Sequence, residues 1–491
     1  VNVRLEDHII GECGKHNGER ALWWRGAWWS RKVFADLVSE YGKTLKASGF
    51  GEGQRLAVLM PNCPAFLALM VAAWNAGGTI VPLNLQSGKA AIAGAIQHSE
   101  ASAVFLPQGL EEQAQMISAA GVPAMTIPLD GAIPSFTALQ REKTDPSIAV
   151  LFYTSGTTGT PKGVPVSHDN LYDNVTGSLR HFTDLAPGDV FVNALPNFHA
   201  LGFTTSGLLP LLGGHPQVIL PTFMPPETTL EAMRAGEVTV MIAVPTMIAL
   251  MLGAVARGAT PPSSLRILVS GGDRFPRALD ARAQKMLGVG VLEGYGLTET
   301  SPVVSVNPNF AGRKLGTVGT ILDGYQIEVR GEDGAVLPAG EEGTLWLRGP
   351  SVFKGYFRAQ ELTDNKFADG WFNTGDVAKI DDDGYMTIID RVTDIAIVGG
   401  FNVYPTEVES VLQQITGVRE SAVVGVPHPV SGEIVKAYIV PTPDAGLTAR
   451  EVTSFCREHL AHYKVPRLVE FVEDLPRSSI GKVLKRELRR R

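Results

Sequence analysis

An α/β fold is what this sequence predicts: a large N-terminal domain over residues 1–390, made of parallel-sheet subdomains plus a small β unit, and a separate α+β C-terminal domain over 391–491. Three observations predict it. Short β-branched runs alternate with helical patterns along most of the chain, the rhythm of a sheet covered on both faces. The pattern changes around 316–347, where "GYQIEVRGEDGAVLPAGEEGTLWLRG" reads as strands joined by tight Gly and Asp turns, a small antiparallel unit. It changes again near Asp390, after which roughly 100 residues, enough for a domain of their own, follow a compact α+β order.

Taken in order, "RKVFADLVSEYGKTLKASGF" reads as an amphipathic helix ending at Gly49. "QRLAVLM" reads as a strand, "PAFLALMVAAWNAG" as a helix and "TIVPLN" as a strand. "DVFVNAL", "PQVILP", "VTVMIAV" and "LRILVSGG" follow as short buried strands with helices between them. The stretch 238–256, "VTVMIAVPTMIALMLGAVA", has no charge but carries Pro245 in its middle. A buried strand, a turn at Pro245 and a buried helix fit it better than a membrane span. Past Asp390 the order is helix ("TEVESVLQQI"), strand ("RESAVVGVP"), strand ("IVKAYIVP") and helix ("TAREVTSFCREHLA"). The basic end, "KVLKRELRRR", reads as a solvated tail.

Composition narrows the function. A chain of 491 residues with an ordinary apolar fraction can build a large core of several subunits of structure. The net charge of −7 argues against a general nucleic-acid binder. Cys13, Cys63 and Cys456 are far apart and odd in number. They point to a reducing, intracellular setting with no disulfide framework and no Cys-based metal site. The first twenty residues are charged where a signal peptide is apolar.

The most informative stretch is 153–164, "YTSGTTGTPKGV", which follows the apolar run "SIAVLF". A Gly and Ser/Thr loop after a strand can turn its backbone N–H groups onto an anion. Hydroxyls add hydrogen bonds, and Lys162 adds a charge for phosphate oxygens. The plain alternative is a surface turn. The Gly-Lys-Ser/Thr of P-loop nucleotidases is missing, so a phosphate loop here is of another kind.

Further candidates follow. In "GYGLTET", Tyr295 between Gly294 and Gly296 can stack on a purine, and Glu299, after Thr298, can hold Mg²⁺. Asp376, in "WFNTGDVA", can accept from both hydroxyls of a ribose, and Arg391 can add a ribose or phosphate contact. Lys482, in "PRSSIGKVLKREL", follows Gly481 and can reach a phosphate or carboxylate oxygen. His199 stands in "LPNFHALGF". Singly, each reads at least as well as a turn, a surface charge or a satisfied loop residue.

Together, in this order, these motifs resemble the adenylate-forming superfamily of acyl-CoA synthetases, peptide-synthetase adenylation domains and luciferases. The resemblance runs from about Trp28 to Leu488. "GGFNVYPTEVE" and "GVPHPVSGEIVKAYIV" look most like bacterial fatty-acyl-CoA ligases, and "LPNFHALGFTTSGLLPLLGG" also looks like acyl-carrier-protein synthetases. The resemblance implies an acid–thiol ligase using ATP, Mg²⁺ and CoA. It implies that Thr154, Ser155, Gly156, Thr157, Thr158, Gly159 and Lys162 hold the β- and γ-phosphates, and that Thr154 and Glu299 hold Mg²⁺. Tyr295 and the backbone of Gly271, Gly272 and Asp273 would flank adenine, with Gly294, Gly296 and Thr298 nearby. Asp376 and Arg391 would bind ribose. Lys482 would bridge carboxylate and α-phosphate in the first step, with Lys162 and His199 also in the reaction centre. A mobile C-terminal domain would then withdraw Lys482 and present Gly400 beside the thiol channel. Phe203 falls where related long-chain ligases place a gate to the acyl tunnel; the plain alternative is core.

Two departures stand out. The hinge position holds Thr393 where the family usually has Asp or Lys, and Ile397 stands where related ligases often have Lys. The expected acid is a medium- or long-chain fatty acid, since the region around Phe203 is apolar and shows no Asp for an amino group. Acyl-carrier protein as acceptor, an aryl or short-chain acid, and a non-catalytic nucleotide-binding protein of the same fold are the alternatives. The resemblance further implies no nucleic-acid partner, a monomer or homodimer, and a cytoplasmic location or a peripheral one at a membrane surface.

Overall fold

A computed structural model describes residues 3–154, 162–392, 394–398, 401–428, 432–443, 445–478 and 481–490. The chain forms two compact units, 1–326 with 348–372, and 327–347 with 373–491.

Among the described residues the first unit is built on two sheets. One has nine strands, in the order Thr320–Ile321, Val303–Val306, Val291–Gly296, Ile267–Ser270, Val240–Ala243, Phe191–Asn193, Gln217–Ile219, Arg20–Trp24 and Ala27–Ser30. Its centre is parallel and its two edges are antiparallel. The other has six strands, in the order Ala124–Ile127, Ala103–Pro107, Arg55–Val58, Thr79–Pro82, Ile148–Thr154 and Lys162–Ser167. Only its last pair is antiparallel. The central strands are buried along their length, which is why they read as continuous apolar runs. Helix Pro64–Asn75 is buried on nearly every side, as its unbroken apolar sequence requires.

The uncharged stretch around Pro245 resolves into strand Val240–Ala243 and helix Pro245–Ala256. Proline occupies the first helical position, where its missing N–H has no intrahelical role. No helix among the described residues is long and apolar enough to cross a membrane. All three cysteines are buried and free.

In the second unit, strands Gln326–Arg330, Gly343–Arg348, Trp371–Ile380 and Met386–Arg391 belong to one small sheet, and Ala396–Val398, Phe401–Val403, Val418–His428, Gly432–Pro441 and Leu468–Phe471 to another. The compact units divide the chain earlier than the boundary expected at 391. Physical ties explain this. Strand Met386–Arg391 pairs with Trp371–Ile380, and Thr406 donates its N–H to Asp390 Oδ2 (3.1 Å) and its hydroxyl to the Ile389 carbonyl (2.8 Å). The 373–391 hairpin is thereby bound to helix Pro405–Leu412.

The basic terminus is not the solvated tail that its charge predicts. Side chains alternate across the long strands: Val423, Val435, Ala437 and Ile439 pack with the helices on one face, while Ala422, Val424, Tyr438 and Val440 need cover on the other. Leu488, fully buried, supplies that cover, and the Tyr438 hydroxyl donates to its carbonyl at 2.7 Å. Lys485 pairs with Glu409 at 2.9 Å and Arg489 with Asp394 at 3.0 Å. Burial works to lower the Lys485 pKa, but the carboxylates of Glu409 and Asp390 outweigh it and raise it.

Candidate active site

Three parallel strands of the large sheet end in segments that meet around one cavity. Strand Phe191–Asn193 leads to His199, Ala200 and Leu201. Strand Ile267–Ser270 leads to Gly271 and Gly272, and strand Val291–Gly296 ends in Gly294, Tyr295 and Gly296, followed by Leu297 and Thr298. The carboxyl ends of parallel strands are the usual ligand crevice of such sheets. The cavity measures about 840 Å³ with its open mouth included. Below the mouth its walls are Val240, Ile242, Ile267 and Val269 from the sheet, and Ser178 and Phe182 from the side of helix His168–His181. Among the described residues no Asp, Glu, Lys or Arg lines it.

The mouth is shaped by glycine and by buried amides. A Cβ on Gly296 would lie 1.9 Å from the Pro302 carbonyl oxygen, so no side chain fits. One on Gly202, at the start of the π-helical turn Gly202–Leu208, would lie 2.3 Å from the Pro196 oxygen. Turns of that kind concentrate at functional sites. The segment bearing His199 is held by a fully buried network. Asn62 donates to Asn193 Oδ1 (3.0 Å) and to the Leu195 carbonyl (2.7 Å), and its Oδ1 accepts the Asn197 N–H (2.8 Å). Asn197 Nδ2 donates to the Gly202 carbonyl at 3.0 Å. Sequence reasoning passes over these asparagines, since Asn62 lies in "MPNCP", more than a hundred residues from the partners that give it meaning.

The phosphate-loop candidate is the tip of a hairpin. Strands Ile148–Thr154 and Lys162–Ser167 are antiparallel, and Thr154 stands directly opposite Lys162. Ser155, Gly156, Thr157, Thr158 and Gly159 lie outside the described residues. The second strand touches the short turn Thr298–Thr300, which carries Glu299. That turn is pinned from two sides. Asn174 Nδ2 donates to the Thr300 and Val303 carbonyls at 3.1 and 2.7 Å. The Tyr356 hydroxyl donates to Glu299 Oε1 at 2.9 Å, while Phe357 N–H donates to the Gly163 carbonyl at 2.9 Å. Thr154, Lys162 and Glu299 thus belong to one connected patch. Asp273 turns its carboxylate onto the Arg274 N–H at 2.8 Å, while Gly271 and Gly272 line the mouth.

Asp376, Arg391 and Lys482 belong to the second unit. Asp376 and Arg391 are opposite one another in register, and Arg391 Nε donates to Asp376 Oδ1 at 2.8 Å. Lys482 sits on a tight hairpin: Ser478 N–H donates to the Lys482 carbonyl (2.7 Å), and Lys482 N–H donates to Ser478 Oγ (3.1 Å). Arg477 closes it, donating to the Gly481 carbonyl at 2.9 Å and pairing with Glu420. Gly400 and Thr393 lie outside the described residues. Ile397 is exposed.

Phe203, the candidate acyl gate, lies in the buried core of the first unit. Its ring is buried and does not line the cavity. It packs edge-on against Phe152 at 5.2 Å and against Phe66 and Trp74 at 6.2 Å each. The plain alternative, core, is the one its packing matches.

The first unit is a layered α/β body with a glycine-shaped mouth at its strand ends, and the second carries a lysine hairpin. The description "AMP-binding enzyme" matches residues 11–357 and "AMP-binding enzyme C-terminal domain" matches 407–482. A feruloyl-CoA synthase from Amycolatopsis is 37% identical over 94% of this chain and 94% of its own. A long-chain-fatty-acid–CoA ligase from Yersinia pestis is 35% identical over 90% of this chain and 86% of its own. The crystal structure of ATP-bound MatB from Rhodopseudomonas palustris is 33% identical and superposes with a TM-score of 0.90 over 99% of this chain and 98% of that one. The chain belongs to the AMP-binding, adenylate-forming family and is an enzyme of its acid–CoA ligase class.

Proposed function

We propose that the enzyme activates a carboxylic acid with an uncharged, apolar body as its acyl-adenylate and passes the acyl group to CoA. The observation that carries this reading is the cavity below His199, Gly271 and Tyr295, which has no charged residue in its lining. Such a cavity suits one carboxylate at the mouth and an apolar remainder beneath it. A second charge on the acid would be stranded without a partner.

The chemistry assigns the residues. The carboxylate attacks the α-phosphorus of ATP, the bond to the β-phosphate oxygen breaks, and pyrophosphate leaves. Anion attacks polyanion, so positive charge and fixed donors must offset the repulsion. Lys162, opposite Thr154 at the hairpin base, is assigned to the β- and γ-phosphates, and Lys482 to the carboxylate and α-phosphate oxygens. The Tyr295 ring is assigned to adenine, Asp376 with Arg391 to ribose. Glu299 with Thr154 fits Mg²⁺, a hard cation that takes one or two protein oxygens and fills the rest from phosphates and water; bound there, it would neutralise phosphate charge. In the second half-reaction the CoA thiolate attacks the acyl carbonyl and AMP leaves. No protein nucleophile is needed.

Medium- and long-chain fatty acids and aryl acids both meet this description. Pyrophosphate release from ATP and Mg²⁺, with and without CoA, across short, long and aromatic acids tests it. Acid-dependent release that requires CoA for turnover is the expected result. Release that ignores CoA but responds to acyl-carrier protein would move the acceptor. Preference for dicarboxylic or amino acids would overturn the apolar-body reading.

A further inference from the structure

Two buried hydroxyls in the cavity lining, Ser178 and Ser270, have no hydrogen-bond partner among the described residues. Ser178 is 1% exposed, lines the cavity, and its Oγ has no hydrogen-bond partner among the described residues. A buried hydroxyl without a partner is costly. The ordinary remedy for a serine or threonine in a helix is to bond the carbonyl four residues back. Thr176, Thr205, Ser410 and Thr453 all do so in this chain, at 2.7–2.8 Å. Ser178 does not. Buried hydroxyls in the same state at Ser102, Thr204, Ser206, Ser305 and Ser421 stand away from the cavity lining. Ser270 shares both properties but ends strand Ile267–Ser270 beside Gly271, at the mouth rather than in the apolar wall.

The position of Ser178 is informative. It lies one helical turn beyond Asn174, whose amide holds the Thr300 and Val303 carbonyls at the mouth, and one turn before Phe182. Residues four apart share a face, so Ser178 looks into the same space as the Phe182 ring. One turn is about 5 Å. Ile242, Val269, Val303 and Val306 are among the apolar residues that share this lining.

We infer that Ser178 is a binding subsite for an oxygen on the body of the acid, a hydroxyl or ether carried away from the carboxylate. The enzyme is therefore selective for oxygenated apolar acids over their plain hydrocarbon counterparts. The inference rests on the apolar-acid reading above and sharpens it. Sites that hydrogen-bond a substrate oxygen discriminate strongly against the analogue without it, because the buried group is then left unpaired.

Matched pairs of acids test this: 4-hydroxycinnamate against cinnamate, and 8-hydroxyoctanoate against octanoate. Each is followed with wild type, Ser178→Ala and Ser178→Thr, by kcat/KM for pyrophosphate release and by direct calorimetric binding of the acid. Wild type should favour one hydroxylated member over its partner by about 10- to 100-fold. Ser178→Ala should bring that ratio close to one, and Ser178→Thr, which keeps the hydroxyl, should restore most of it. A preference in the first pair identifies an aryl substrate, in the second an aliphatic one. Ser178→Ala should not lower the unfolding temperature, since it removes an unpaired hydroxyl, so misfolding cannot mimic the result. If wild type treats both pairs alike in release and in binding, or if Ser178→Ala preserves the ratio, the inference is wrong. Absence of release with every acid would sink the apolar-acid reading, and the binding ratios would still decide the subsite.

Discussion

The two lysines assigned to phosphate chemistry stand on hairpins held in opposite ways. Lys162 continues a long antiparallel pairing, from Ile148 against Ser167 to Thr154 against Lys162. Ala149, Val150, Leu151, Phe152, Val164 and Val166 beneath it are all buried. Lys482 stands on one isolated bridge, Arg477 to Val483, with Ser478 and the Arg477–Glu420 pair as clamps. The first is anchored by apolar burial, which is strong and non-directional. The second is anchored by part-exposed polar contacts, which contribute little to stability but fix direction. A lysine that only holds phosphates needs the first kind of base. One that acts in only one half-reaction, as proposed for Lys482, is served by the second.

The comparison can be broken from either side. The largest effect is expected from Phe203→Ala, which removes the ring packed on Phe152 of the first hairpin. It should cost about 3–5 kcal/mol of stability, read by denaturant unfolding, while folded enzyme keeps its acid-length preference. A shifted preference without lost stability would return Phe203 to the acid site.

Lys482→Ala comes next. Acyl-adenylate formation should fall by on the order of 10²–10³, while thioester formation from supplied acyl-adenylate persists. Equal loss of both half-reactions would show that the residue does not act in the first step alone.

Arg477→Ala should lower adenylation about 5- to 10-fold and stability by no more than about 1 kcal/mol. Glu420→Gln should do the same, and the double variant should be little worse than either alone. Additive losses would mean that the two side chains act separately.

The smallest effect is a control within the second unit. Thr448 and Glu451 form a capping box on helix Ala449–His459. Thr448→Ala should cost about 1 kcal/mol and leave both half-reactions untouched; a loss of adenylation would show that Lys482 depends on the whole unit rather than on its clamp.

Local chemistry made much of this legible beforehand. The runs "TIVPLN", "VTVMIAV" and "LRILVSGG" became strands because continuous β-branched apolar sequence fits a sheet covered on both faces. Pro245 marked a strand-to-helix turn because proline suits the first helical position. Gly294 and Gly296 drew notice as the frame of Tyr295, Gly271 and Gly272 through the family resemblance, and the structure places all four in the lining of one cavity. Phe203 and the basic tail were hard to read for a common reason. Each was read by its own character and its neighbours in sequence, whereas each is placed by partners far away, Phe66 and Phe152 for one and Tyr438 and Glu409 for the other.

By itself the sequence determined the elements, the two-part organisation and the residue types for anion and nucleotide binding, because these follow from periodicity, turn chemistry and charge at short range. Only the tertiary structure decided which aromatic residues are core and which line the cavity, that Asn62 holds the His199 segment, and that Ser178 is the buried hydroxyl left over in an apolar wall. Those depend on which surfaces meet across the fold, and burial fixes the value of a polar group only once its surroundings are set.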